Sequence, residues 1–179
     1  MLIQFSFKNY KSFKEEATLD LSATKMTEFS ERVVTIGSEK ILPVAAIYGA
    51  NASGKSNIYN AFGYMSNYVS ESFKYGDEDE KFEEFSPTPF LFDSKSINDE
   101  SSFEVYFTLP DDKTEKVFNY GFCINKEGVT EEWLNSKAKT ARKYSTVFYR
   151  GKTADELDLS GIPKSSRENI NVALEKQVL

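Results

Sequence analysis

The chain has no histidine and a single cysteine, Cys123, among its 179 residues. The first absence removes the commonest general acid–base at neutral pH and the commonest nitrogen ligand for metals. The second excludes an internal disulfide and any zinc or haem spacing built on paired cysteines. No stretch approaches the ~20 apolar residues of a membrane span, and none has the form of a signal peptide. A cytoplasmic protein without membrane attachment is therefore expected. Positive charge is in deficit, with 22 Lys and Arg against 28 Asp and Glu, a net charge of −6 and a pI near 4.9. Such a balance argues against binding nucleic acid by bulk electrostatics, although it leaves a local basic patch open.

What is present is enough for one compact core, since 40% of the residues are hydrophobic and 15% aromatic. Within it, Gly49-Ala50-Asn51-Ala52-Ser53-Gly54-Lys55-Ser56 match the phosphate-binding loop pattern G-x-x-x-x-G-K-S/T. The surroundings suit that mechanism. Ile41 to Tyr48 is a nearly continuous apolar run, expected as a strand covered on both faces, with Pro43 marking its start. After the loop, Ile58, Ala61, Phe62, Met65, Tyr68, Val69 and Phe73 recur at three- and four-residue spacing, which predicts a helix from Lys55 to about Lys74.

The residue types follow from the chemistry. Gly49 and Gly54 permit backbone angles and a close approach that a side chain would block. Successive N–H groups from Asn51, Ala52, Ser53 and Gly54 onward, with the positive end of the helix, make an anion nest for the α- and β-phosphates. Lys55 reaches the β- and γ-phosphates, and the Ser56 hydroxyl is the expected ligand to Mg²⁺, an ion that prefers oxygen.

Elsewhere the chain alternates. Ile3, Phe5 and Phe7, then Ala17, Leu19 and Leu21, predict a hairpin. The run 103–109, a turn at Pro110-Asp111-Asp112, the run 116–124, a turn at 125–128, and the runs 129–134 and 145–150 predict an antiparallel meander. Cys123 falls in this alternation and reads as a small buried hydrophobe, and Trp133 reads as a core position. Asp77 to Glu84 is an acidic solvated loop ahead of Pro87 and Pro89, without the glycine and spacing of a calcium loop. Ser165 and Glu168 form an S-x-x-E capping box, followed by an apolar helical face at Ile170, Ala173, Leu174 and Val178.

The order of these elements resembles the ATP-binding heads of ABC type in SMC- and RecF-like proteins and in OLD-like phage-defence ATPases. The segment Phe5-Ser6-Phe7-Lys8-Asn9-Tyr10-Lys11-Ser12-Phe13 looks like the opening strand and signature of those heads, and the loop with Asn51 in third place follows about forty residues later. Pro89 to Phe92, Phe103 to Val105, Tyr120 to Phe122, Glu132 to Leu134 and Phe148 to Arg150 look like the β-rich arm of defence-type AAA proteins.

The resemblance implies an α/β P-loop NTPase fold: an ABC-like N-terminal lobe with an antiparallel β-rich arm. Residues 1–74 hold the hairpin, loop strand and helix, 75–100 an acidic and proline-containing linker, 101–150 the arm, and 151–179 the start of a helical region. It implies ATP with Mg²⁺ as cofactors, phosphate contacts from Asn51 to Asn57, and an approach to the nucleotide by Lys11 and Ser12, for which an ordinary hairpin turn is the competing reading. For the complete protein it implies a homodimer of ATP-bound heads coupled to DNA or to a nuclease in antiviral defence.

Several parts of such a head are missing. The chain has no LSGGQ-like signature, no apolar strand ending in Asp-Glu and no switch histidine. Its only glutamines are Gln4 and Gln177, neither placed after the phosphate-loop helix. The expectation is therefore the N-terminal part of an ATPase that continues past Leu179, with weak nucleotide binding and negligible hydrolysis by this part alone. Two other classes stay open. A stand-alone P-loop kinase or GTPase would need an N-K-x-D motif or an arginine-rich lid, and neither is found. A non-catalytic module would keep the loop as structure and bind a protein partner through the acidic β-arm.

Overall fold

A computed structural model describes residues 1–23, 28–75, 86–109 and 114–167, with no side-chain description for 72–75 and 154. In chain order the elements are β1 (Leu2–Lys8), β2 (Ala17–Asp20), β3 (Val34–Ile36), β4 (Glu39–Ile41), α1 (Lys55–Tyr75), β5 (Ser101–Thr108), β6 (Val117–Asn125), β7 (Gly128–Lys137), β8 (Ser145–Arg150) and β9 (Leu157–Asp158). Seven strands form one antiparallel sheet in the order β2-β1-β5-β6-β7-β8-β9, and β3 and β4 pair separately.

Alternation assigns each residue its face, because successive strand side chains point to opposite sides. Phe7, Phe103, Phe122 and Glu132 form one cross-strand row, and Phe5, Val105, Tyr120 and Leu134 the next. These rows face α1. The helix answers with Ala61, Met65 and Tyr68, all buried at helical spacing. Tyr68 stacks on Phe122 at 5.0 Å, while Phe103 meets Phe122 at 5.4 Å and Tyr64 at 4.9 Å. Burying each such aromatic side chain contributes about 2 kcal/mol, so this layer is the dominant attachment of helix to sheet. A second cluster of Ile3, Leu21, Ile41 and Val117 seats the β3–β4 hairpin against the end of the sheet.

The expected meander and first hairpin are formed, and α1 starts at Lys55 as read. The apolar run before the loop behaves differently. Ile41 is fully buried at the end of β4, and Leu42 N donates to Leu21 O at 2.8 Å, but residues 43–48 are not strand. Val44, Ile47 and Tyr48 are 78%, 44% and 90% exposed. Pro43 closes the pairing instead of opening a strand. The physical reason is that a strand buried on both faces needs two layers and a paired neighbour. Among the described residues the sheet is one antiparallel layer with α1 on one side, and no strand lies beside 43–48.

Two further expectations concern the second half. Ser165 lies inside the helical turn 164–167 and so does not precede it as a cap, while Glu168 and the apolar face at Ile170, Ala173, Leu174 and Val178 lie outside the described residues. The acidic run Asp77 to Glu84 also lies outside them. The remainder of the expected linker is pinned from a distance by Asn9. Its Nδ2 donates to Ser96 O at 2.8 Å, Asp99 O at 3.1 Å and Glu100 O at 3.3 Å, and its Oδ1 accepts from Phe90 N at 3.0 Å. The β3–β4 hairpin was not foreseen, although the Gly37-Ser38 pair between Ile36 and Glu39 is its signal, with Gly37 at a φ of 61°.

Candidate functional site

The loop between residues 49 and 54 turns sharply enough to present its backbone to one side. Ala52 has a φ of 63° and Gly54 a φ of 90°, both in the left-handed region. Contact favours glycine at both positions, and at Gly54 the angle does so as well. A Cβ on Gly49 would lie 2.9 Å from Ser53 Oγ, and one on Gly54 would lie 3.0 Å from Ser12 Oγ and 3.2 Å from the Phe13 ring. The chain enters α1 directly after Gly54, so the helix's free N–H groups and positive end face the turn.

Residues 51–57 and Ser12 line a pocket of about 340 Å³. Asn51, Ala52, Ser53 and Ser56 are exposed, whereas Gly54, Lys55 and Asn57 are half-buried. Lys55 Nζ donates to Gly49 O at 2.8 Å and to Ala50 O at 2.6 Å, which folds the ammonium back across the turn. Asn57 Nδ2 donates to Ser12 Oγ at 2.8 Å and Asn57 N to Gly54 O at 2.8 Å. The first hairpin's tip therefore forms part of the pocket wall.

The sequence-derived residues divide accordingly. Asn51, Ala52, Ser53, Gly54, Lys55, Ser56, Asn57 and Ser12 are brought together, while Gly49 shapes the turn behind them. Lys11 is not in the lining. Its Nζ sits 5.4 Å from the centre of the Tyr10 ring, and its backbone N donates to Thr88 O at 2.8 Å. Asn9 is 2% exposed, serves the network described above and does not reach the loop. Asn57 is the neighbour whose role a sequence pattern does not announce, because its link to Ser12 spans 45 residues.

The donor set fits a polyphosphate. A glycine-turned cradle, a helix N-terminus and one lysine supply hydrogen-bond donors and positive charge in one place. Ser56 would offer its hydroxyl to Mg²⁺. Among the described residues there is no group of three or more His, Cys, Asp or Glu side chains able to hold a metal by themselves, so beside Ser56 the ion would draw its oxygen ligands from phosphates and waters.

No helix among the described residues is long and apolar enough to cross a membrane. Comparison with curated proteins gives no match. Residues 44–166 match the family model described as "AAA domain, putative AbiEii toxin, Type IV TA system". The matched span takes in the cradle, α1 and the sheet strands from β5 to β9, and on that extent the chain belongs to this family of AAA, P-loop ATPase-type domains.

Proposed function

We propose that this chain binds ATP with Mg²⁺ through the loop 49–56 and forms the N-terminal lobe of an ABC-type ATPase head. The observation that carries this reading is the cradle itself: a turn held open by Gly49 and Gly54, seated on the start of α1 and walled by Ser12. In this reading Lys55 exchanges its contacts with Gly49 O and Ala50 O for phosphate oxygens, and Ser56 ligates the ion. Asn57 holds Ser12 against the loop, so that the hairpin tip contributes to the nucleotide's surroundings.

The exposed apolar residues Val44, Ile47 and Tyr48 support the same proposal, because they stand where a two-sided strand is expected and no layer among the described residues covers them. The water-activating and γ-phosphate-sensing groups would then come from further polypeptide. Two heads would close over ATP and separate on hydrolysis, coupling that cycle to DNA or to a nuclease in phage defence, in the manner of SMC-, RecF- and OLD-like heads.

Titration of the chain with a fluorescent ATP analogue, with and without Mg²⁺, tests the binding step. The expected result is saturable, Mg²⁺-assisted binding that weakens at least about tenfold in Lys55→Ala, since a charge-assisted hydrogen bond is removed. Equal affinity in wild type and Lys55→Ala would overturn the assignment.

A further inference from the structure

The sheet face turned away from α1 carries a second feature, unrelated to the phosphate loop. Glu104, Gly121, Trp133, Tyr149 and Asp158 are consecutive cross-strand partners from β5 to β9, so one row of the sheet reads carboxylate, glycine, indole, phenol, carboxylate. Gly121 makes room for the indole: a Cβ there would lie 2.3 Å from the Trp133 ring, so only glycine lets the ring settle onto the sheet at this point. Around this row is a groove of about 480 Å³, to which Asn119, Glu131, Asn135 and Thr146 also contribute.

Its polar groups are fixed in place. Asn135 Nδ2 donates to Asn119 Oδ1 at 3.1 Å, and Asn119 Nδ2 donates to Glu104 Oε1 at 2.8 Å. Tyr149 OH donates to Glu131 Oε1 at 3.0 Å. Glu104, Glu131 and Asp158 stand on β5, β7 and β9, alternate strands of the sheet, which spaces them about 10 Å apart. That separation is too wide for one small cation to be shared.

Among the described residues no lysine or arginine lines the groove. Cations nearby make their close pairs outside the groove: Lys152 pairs with Glu100 at 2.6 Å, while its charge also acts on Glu131, and Lys137 pairs with Glu39 at 3.1 Å. Arg150 pairs with Glu132 at 2.9 Å on the helix-facing side, and Arg167 donates to Ile162 O and Ser160 O.

We infer that this groove is a docking site for an extended, arginine-bearing segment of a partner protein, laid across strands β5 to β9. Charge complementarity supports this, since three carboxylates line the groove and no lysine or arginine does, Lys152 and Arg167 acting on Glu131 and Asp158 only from outside the lining. The aromatic surface adds selectivity, because a planar guanidinium stacks on an indole while its edge reaches carboxylates. Spacing agrees as well. An extended chain advances about 3.3 Å per residue, so about six residues cover the distance from Glu104 to Asp158. Nucleic acid is disfavoured, since the same carboxylates repel phosphates.

Trp133 is the sole tryptophan, so its emission reports the groove directly. The test titrates the full chain with a short synthetic peptide alternating arginine and threonine, with the matching glutamate peptide and oligothymidylate as controls. The expected result is a saturable change in Trp133 emission with the arginine peptide alone. Affinity should fall about tenfold in Glu131→Gln and in Thr146→Lys, the latter an exposed position where an added cation enters the groove without disturbing the core. Far-ultraviolet circular dichroism confirms that both variants are folded, and calorimetry on Trp133→Phe reads binding independently of emission. Absence of saturation, equal affinity in folded Thr146→Lys, or a preference for the glutamate peptide or oligothymidylate would overturn the inference.

Discussion

The carboxamide of Asn57, in the first turn of α1, donates to the Ser12 hydroxyl at the tip of the β1–β2 turn across 2.8 Å. Through this bond the phosphate loop is braced by a hairpin that lies far from it in sequence. Asn57→Ala should therefore loosen the hairpin tip against the loop while leaving the cradle's own glycines and Lys55 intact. The expected outcome is a several-fold loss of ATP-analogue affinity with little change in thermal stability, on the order of 1 kcal/mol or less for one partly exposed hydrogen bond. Ser12→Ala should give a similar loss, and the double variant should show less than the sum, because both changes remove the same bond.

Asn9 should matter for stability and not for nucleotide. Its side chain makes four contacts to the backbone of the segment 90–100, and its own φ is 52°. Asn9→Ala leaves the buried carbonyl of Ser96 and the partly buried bonds to Asp99 and Glu100 without that donor and adds backbone strain, so a loss of about 2 kcal/mol is expected in urea unfolding. Asn9→Gly relieves only the strain and should recover a minor part. A variant as stable as wild type would show that the segment holds itself.

The pair Glu132 and Arg150 lies on the helix-facing side at 2.9 Å, with side-chain exposures of 12% and 20%, and Tyr120 OH donates to Glu132 Oε1 at 2.8 Å. Removing one partner leaves the other charge poorly solvated beneath α1. Glu132→Ala should cost about 3 kcal/mol or more, while the joint replacement Glu132→Met with Arg150→Leu should cost much less. Chemical denaturation of the two variants checks the order.

Burial, with lesser contributions from Glu131 and Glu100, pushes the Cys123 thiol up to about 11. The thiolate is the reactive form, so alkylation of the native chain at pH 8 should be far slower than in urea. The sign for stability follows from proton counting. Between the unfolded value of ~8.5 and about 11 the folded chain keeps a proton that the unfolded chain has lost, so this contribution is intact below ~8.5 and disappears as pH rises to about 11. Cys123→Val should flatten that part of the stability profile.

Alternation made the sheet legible. Ile3-Phe5-Phe7, the run 103–109 and the run 116–124 each keep a period of two because their faces are buried differently, mainly against α1 and, at Ile3 and Val117, in the cluster under the β3–β4 hairpin, and the structure follows them closely. The loop was legible because its glycines answer to local geometry. The run 41–48 was misread because apolar composition reports a demand for burial and not whether a layer meets it. Asn9 and Asn57 were opaque for a related reason. Each acts through a partner between 45 and 91 residues away, and no local pattern encodes that distance. Trp133, read as core, instead covers Gly121 on the outer face, a placement fixed only by the register of β6 with β7.

Strand β1 pairs with β5, with Leu2 opposite Phe107. Everything between them, including the phosphate loop and α1, leaves the ribosome before the sheet that seats it can close. Until then the helix has only its own weak propensity, because the aromatic rows it packs on do not yet exist. The order of synthesis thus makes closure of β1 on β5 the committing step, a late and entropically costly contact that should make folding slow for a chain of this size. The nucleotide cradle is a product of that closure, since Ser12 reaches Asn57 only when β1 is in place.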